Sequence, residues 1–311
     1  MAKKIFLFLP VLLLTACNPQ PEIDDATMLD GTQINDLSLY EPANYLVSLA
    51  IPKPTEAQKN IPVLIAAHGY SASTFEWDEM QDFAREDGSF LVSQVLLGGH
   101  GRDFADFKTA RWQDWQSSIR DEYRRLRAAG FKNISLAGSS TGAPLIVHLF
   151  SGGFFEAEGA PNEIFLIDPI VVSGNKTLVL VDLLGPVLGY TTTDLDAGEH
   201  GKWYVYRPQE SLRQLMALID LTRRKLEKGI TLTPGTRLKI YKSEVDRTAD
   251  PVSAVMLHKG LRTATGNRVD VEMIPSDLHV FTRLRGRDRI SSGDSARQLA
   301  VFREMKERMA N

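Results

Sequence analysis

The chain has one cysteine, Cys17, in 311 residues. A lone thiol excludes an internal disulfide, a C-x-x-C redox pair and any cysteine-rich zinc site. An excess of charge of one sign is also missing. There are 36 Lys plus Arg against 39 Asp plus Glu, a net charge of −3, so no basic field draws nucleic acid, and a small neutral or weakly charged molecule fits better as partner. No apolar run reaches the roughly 20 residues that a membrane-spanning helix needs. The most apolar stretch, residues 5–16, has twelve residues and contains Pro10. Internal repeats and low-complexity tracts are lacking, and none of the six histidines forms a zinc-type pair such as H-E-x-x-H, so no metal is implied. What remains is ordinary: 43% hydrophobic residues, 24% charged, 23 Gly and 15 Pro. That composition rules out collagen-like, coiled-coil and wholly disordered chains, and the length allows a sizeable core.

Extended runs rich in β-formers recur at residues 45–51, 63–67, 90–97, 134–137, 164–167, 238–241 and 269–274. Helical patterns lie between several of them. The clearest aligns Trp112, Trp115, Ile119, Tyr123 and Leu126 on one face; others run through Leu212, Leu215, Ile219 and Leu226, and through Leu299, Phe302 and Met305. Alternating strands and helices predict an α/β fold with a mostly parallel sheet covered on both faces, and ligands on such sheets bind beyond the strands' carboxyl ends. The alternation breaks after Asp168 for about seventy residues, too long for a structureless loop in a compact domain. Residues 171–233 therefore read as an inserted cap between two core parts, residues 44–170 and 234–311.

The strand ending at Ala137 runs into Gly138-Ser139-Ser140-Thr141-Gly142 and then an apolar helical stretch. This is G-x-S-x-G in a strand-turn-helix setting, where a strained turn projects the middle serine. Earlier, the 63–67 strand ends in His68-Gly69-Tyr70, and the 90–97 strand leads to Gly99-His100-Gly101. A serine hydroxyl needs a base, and the base an orienting group. His279 follows the 269–274 strand. Asp246 follows the 238–241 strand, with Asp250 and Asp168 as competing acids; Asp250 also reads as the cap of a helix starting at Pro251. His148, eight residues past Ser140 on one helix, is about 12 Å away along the axis and cannot be the base. His68 and His100 are expected to line or support the site.

Across residues 60–309 these turns and their order resemble the α/β-hydrolases, in particular bacterial carboxylesterases and monoacylglycerol lipases. The resemblance implies an α/β-hydrolase fold with a cap or lid and no cofactor. It makes Ser140 the nucleophile, Asp246 the acid and His279 the base, with the backbone N–H groups of Tyr70 and Thr141 as the oxyanion hole. The expected partner is a small-molecule carboxylic ester, plausible examples being glycerol or lysophospholipid esters. Two other functions compete: a proline-type serine aminopeptidase, whose cap acids here would be Asp194, Asp196 and Glu199, and a non-catalytic ligand-binding scaffold.

Lys3 and Lys4 before the apolar run give residues 1–16 the shape of a secretory signal. Leu14-Thr15-Ala16-Cys17 resembles the bacterial lipobox, which implies cleavage before Cys17 and a lipid on its thiol. Residues 17–43 would then be a spacer, and the chain an envelope lipoprotein anchored through Cys17, with Asn18 favouring the outer membrane.

Overall fold

The computed structural model describes residues 37–176 and 189–310. The signal segment, Cys17, most of the spacer and the apolar stretch 178–188 lie outside the described residues. In chain order the strands are β1 (Val63–Ala67), β2 (Leu91–Val95), β3 (Ile134–Ser139), β4 (Glu163–Ile167), β5 (Tyr190–Thr192), β6 (Tyr206–Pro208), β7 (Ile230–Thr231), β8 (Arg237–Ser243), β9 (Leu261–Arg262) and β10 (Asp270–Ile274). Six of them form one parallel sheet in the order β10-β8-β4-β3-β1-β2. Strands β5 and β6 pair antiparallel, and β7 pairs with β9.

The strand sequences explain the burial. VLIAA of β1 and EIFLI of β4 are buried at every position, as expected where helices cover both faces. Val63, Ile65 and Ala67 face the helices Trp112–Ala129 and Gly142–Ser151. Leu64 and Ala66 face Trp77, Met80, Phe302 and Met305, which belong to the segments around Asp78–Asp87 and Ser292–Ala310. Ile119 and Leu126 of the long helix are fully buried, each contributing roughly 1.5–3 kcal/mol relative to exposure. The α/β-hydrolase sheet expected from the sequence is present, with strand ends shifted by one or two residues.

Residues 45–51, expected to be a strand, instead turn into a short helix, Val47–Ala50. The reason is a buried carboxylate. Glu122, on the long helix, accepts the Ser48 amide at 3.1 Å and the Ser48 hydroxyl at 2.5 Å, while the Ser93 hydroxyl takes the Val47 amide at 3.0 Å. Those bonds capture the helix start against the edge strand β2, whose Gln94 amide bonds the Tyr45 carbonyl at 2.8 Å. An apolar segment thus covers a sheet edge without joining it.

After β1 the chain adds β2 on one side and then crosses to place β3 on the other. The carboxyl ends of β1 and β3 therefore flank a point where strand order reverses, the place where open α/β sheets bind ligands. Between β4 and β8 the chain forms β5, β6, the helix Gln209–Lys228 and β7. This stretch is docked through Tyr204, whose ring stacks on Phe107 at 4.3 Å and whose amide bonds the Ser71 carbonyl at 2.9 Å.

Candidate active site

Ser140 lies at the end of β3 with φ of 46°, a conformation costing a residue with a Cβ on the order of 1–3 kcal/mol. Its neighbours hold it there. The Ser140 amide donates to the Ile167 carbonyl at 2.9 Å, and its carbonyl accepts the Ile170 amide at 3.2 Å. The flanking glycines are required by close approach: a Cβ on Gly138 would lie 2.6 Å from the Gly142 carbonyl carbon, and one on Gly142 would lie 2.4 Å from the Ala67 oxygen. The sharp turn therefore packs directly against the end of β1.

That end of β1 continues into His68-Gly69-Tyr70. A Cβ placed on Gly69 would meet the Ser140 Cβ at 3.1 Å, so this loop passes beside the serine. Among the described residues, neither the Tyr70 nor the Thr141 amide has a hydrogen-bond acceptor. Two free N–H groups beside a projecting hydroxyl are the donors a tetrahedral oxyanion would need. The loop itself is held by Glu76, a buried residue that sequence reading passed over. Its Oε1 accepts the Gly69 amide at 2.8 Å and also the Ser139 hydroxyl. Burial pushes the Glu76 carboxyl up, against the pull of Ser139, Arg283, the Gly69 amide and His279. His68 braces the same loop from below: Nε2 accepts the Leu97 amide at 3.1 Å, which assigns the proton to Nδ1, donating to the Gly69 carbonyl at 2.8 Å. Burial lowers its pKa to about 4, so it stays a neutral brace. His100 is buried among His68, Phe107 and Trp115. Neither histidine lines the cavity beside Ser140; His68 bonds the Gly69 carbonyl and His100 packs edge-on against the Tyr70 ring, so both lie behind its wall.

Asp246 and His279 meet across the ends of β8 and β10. Nδ1 of His279 bonds Oδ2 of Asp246 at 2.7 Å, and Oδ1 accepts the amides of Thr248 at 2.8 Å and Ala249 at 3.0 Å. Oδ2 also takes Nζ of Lys242 at 2.5 Å. Burial raises the Asp246 pKa, but the hydrogen bond and charge of His279 together with Lys242 outweigh it and hold the carboxyl well below its usual range. The other acids have other work. Asp250 pairs with Lys176 at 2.9 Å and caps the next helix by accepting the Val252 amide at 3.0 Å. Asp168, buried with φ of 43°, accepts the Ser243 amide at 2.7 Å, Lys242 at 2.9 Å and the Phe281 amide at 3.3 Å. It thereby ties the loop that bears Asp246 to the loop that bears His279.

Lys242 is fully buried between two carboxylates, and nothing in the one-dimensional pattern singled it out. The only available signal was a lysine at an inward register of an otherwise core strand, four residues before Asp246. Asp168, Asp246 and His279 present ligand atoms within 4.8 Å of one another. The cation for that cluster is the Lys242 ammonium itself.

Ser140, Thr141, Gly69, Tyr70 and His279 all line one cavity of about 680 Å³. Ser140 and His279 share its wall without a direct hydrogen bond; such contacts commonly tighten only with substrate in place. Among the described residues no helix is long and apolar enough to cross a membrane.

The sheet order, the turn after β3 and the loops after β8 and β10 together define the α/β-hydrolase fold. No protein-family model matches the chain, and no curated protein matches it in sequence. Solved structures do match. One reported for LipS and LipT, two metagenome-derived lipolytic enzymes, superposes with a TM-score of 0.62 at 18% identity, over 79% of this chain and 94% of that one. A soluble variant of monoglyceride lipase from Saccharomyces cerevisiae, in complex with a substrate analog, gives 0.65 at 12% identity over 83% and 88%. Est1E from Butyrivibrio proteoclasticus, with ferulic acid bound, gives 0.51 at 14% over 83% and 94%. At identities this low, the superpositions establish a common fold and nothing finer.

Proposed function

We propose that the protein is a serine hydrolase of carboxylic esters, with Ser140 as nucleophile, His279 as base and Asp246 as the acid that orients it. The observation carrying this reading is the convergence on one cavity of a strained serine, two free amides and a histidine bonded to a buried aspartate. His279 Nε2 takes the hydroxyl proton as Oγ of Ser140 bonds to the acyl carbon, and the N–H groups of Tyr70 and Thr141 hold the resulting oxyanion. Collapse breaks the bond to the alcohol oxygen, which receives the proton from His279. Water, activated by the same imidazole, then cleaves the acyl-serine. Asp246 keeps the proton on Nδ1 and balances the transient imidazolium.

Glycerol or lysophospholipid esters suit a cavity of this size, and the neighbours named above are esterases and lipases by description. The stretch 171–233, which contributes Tyr190, Trp203 and Arg207 to the wall, acts as the cap that selects substrate. An aminopeptidase would need free carboxylates there to hold an amine. Glu199 is bonded to Arg283 at 2.5 Å, whereas Asp194, also on the cavity wall, has no ion pair among the described residues, so assay of amino-acyl amides against nitrophenyl esters separates the two readings. The lipobox-like Leu14-Thr15-Ala16-Cys17 supports anchoring of the enzyme to an envelope membrane through Cys17.

The test is labelling by a fluorophosphonate, which modifies activated serines and leaves ordinary ones alone. The adduct is expected on Ser140, and Ser140→Ala is expected to lose both labelling and hydrolysis of short nitrophenyl esters. A wild-type protein that resists the probe, or a Ser140→Ala variant that still hydrolyses esters, overturns the reading.

A further inference from the structure

The cavity carries more arginine than the hydrolysis of a neutral ester requires. Arg207, Arg247, Arg283 and Arg287 all reach its wall, against the carboxylates of Glu76, Asp194 and Glu199. Most of these groups already have partners. Arg283 is bonded to Glu199 and lies over the Trp203 ring, 4.8 Å from its centroid. Arg287 donates to the carbonyls of His279 and Arg283, and so braces the loop that bears the base. Glu76 is engaged by Gly69 and Ser139.

Arg207 is different. Its buried Nε has no hydrogen-bond acceptor, as is also true of Arg283, but unlike Arg283 it has no carboxylate partner through its other nitrogens among the described residues. Its guanidinium lies 5.8 Å from the centroid of the Tyr70 ring, the residue whose amide stands beside Ser140. The carboxylate of Glu199, whose charge it feels, is already taken by Arg283. Strand pairing fixes it in place, since Arg207 on β6 sits opposite Thr191 on β5 and both residues line the cavity. A buried donor left without an acceptor calls for an explanation, and an arginine's planar fork fits a carboxylate or phosphate in two-point contact. Arg247, exposed at the cavity edge and also without a carboxylate partner among the described residues, adds a second positive charge.

We propose that Arg207 is an anion-binding residue, so that the ester this enzyme accepts carries a negatively charged oxygen group such as a carboxylate, seated on the Tyr70 side of the cavity. The proposal rests on the ester-hydrolase reading for what is bound and goes beyond it in naming the charge.

The experiment uses binding, so that it stands apart from turnover. Ser140→Ala protein is titrated by calorimetry with two matched pairs of esters. In the first, the mono-4-nitrophenyl ester of adipic acid is compared with its neutral primary amide, placing the charge on the acyl side. In the second, the butyrate ester of 4-hydroxybenzoate is compared with that of 4-hydroxybenzamide, placing it on the leaving group. In at least one pair the carboxylate ester is expected to bind about tenfold more tightly or better, the strength of a charge-assisted contact. Adding Arg207→Met or Arg207→Gln is expected to reduce that preference to about threefold or less, and Arg207→Lys, which keeps the charge but not the two-point fork, to keep only part of it. Equal affinities within both pairs, no binding of any ester, or a preference that survives both the Met and the Gln variants overturns the proposal. Fluorophosphonate labelling of the wild type judges the hydrolase reading separately.

Discussion

Replacing Lys242 by methionine separates the roles of charge and packing beneath the site. The lysine is fully buried, with Nζ 2.9 Å from Asp168 and 2.5 Å from Asp246. Methionine fills nearly the same volume with an adaptable apolar chain, so the main loss is one cation between two buried carboxylates. Those carboxylates keep other donors: Ser243 and Phe281 on Asp168, and His279, Thr248 and Ala249 on Asp246. Breaking a buried ion pair from one side costs about 3–5 kcal/mol. At about 2–3 °C per kcal/mol for a large domain, Tm at pH 7.5 is expected to fall by roughly 6–15 °C. The pH dependence supplies a second, independent sign. The Asp246 pKa is depressed in the folded protein, so this group stabilises the fold above its unfolded value near 3.8 and the contribution is lost as pH falls below that. Without Lys242 the depression shrinks, so the gap between wild type and variant should be at its full size near neutrality and should narrow only in acid, as pH falls below 3.8 through the variant's own folded-state value. A further Asp168→Asn substitution removes the uncompensated second charge and is expected to recover part of the loss, a coupling that the double-mutant cycle measures. Thermal unfolding followed by circular dichroism at pH 3.5, 5.5 and 7.5 checks each step. An unchanged Tm at pH 7.5, or a gap that widens in acid, refutes the reasoning.

Glu76→Gln keeps an acceptor for the Gly69 amide but removes a carboxyl that burial pushes up. A raised folded-state value means the group favours the fold at low pH and loses that contribution as pH rises above about 4.5; the variant should therefore gain in Tm relative to wild type between pH 4.5 and 8, and a constant difference would count against it. Asp246→Asn is expected to lower kcat by at least about 10²-fold, a weaker bound than the 10⁴ of the serine-protease example, whereas Asp250→Asn, which disturbs only a helix cap and an exposed pair with Lys176, should stay far more active; steady-state kinetics beside Tm for both variants decides. Cys17→Ser should abolish incorporation of labelled fatty acid, because a lipid on the only thiol is what the anchor proposal needs, and unchanged labelling would remove the anchor.

What could be read in advance follows from how local each signal is. The sheet was legible because strands buried on both faces must be continuous apolar runs, as VLIAA and EIFLI are. The turn at Ser140 was legible because its backbone demands glycine at two neighbouring positions. Residues 45–51 misled for the same reason that the rest succeeded. Their β-forming composition is local, while the bonds that made them helical come from Glu122 and Ser93, 74 and 46 residues away from their partners.

The residues that went unnoticed share that property. Glu76 is joined to Ser139 across 63 positions, and Lys242 to Asp168 across 74; a glutamate near a helix start and a lysine in a strand carry no mark of such partners. Arg207 stands in a short strand within a region whose sequence announces neither turn nor repeat. Each of these groups is a charge held out of water, which is tolerable only if its partner is in place. Glu76 and Lys242 find theirs in the chain, and their effect is to fix the loop after β1 beside Ser140 and the loop carrying Asp246. Arg207 finds none among the described residues, so the same rule that makes the first two structural assigns the third to a ligand.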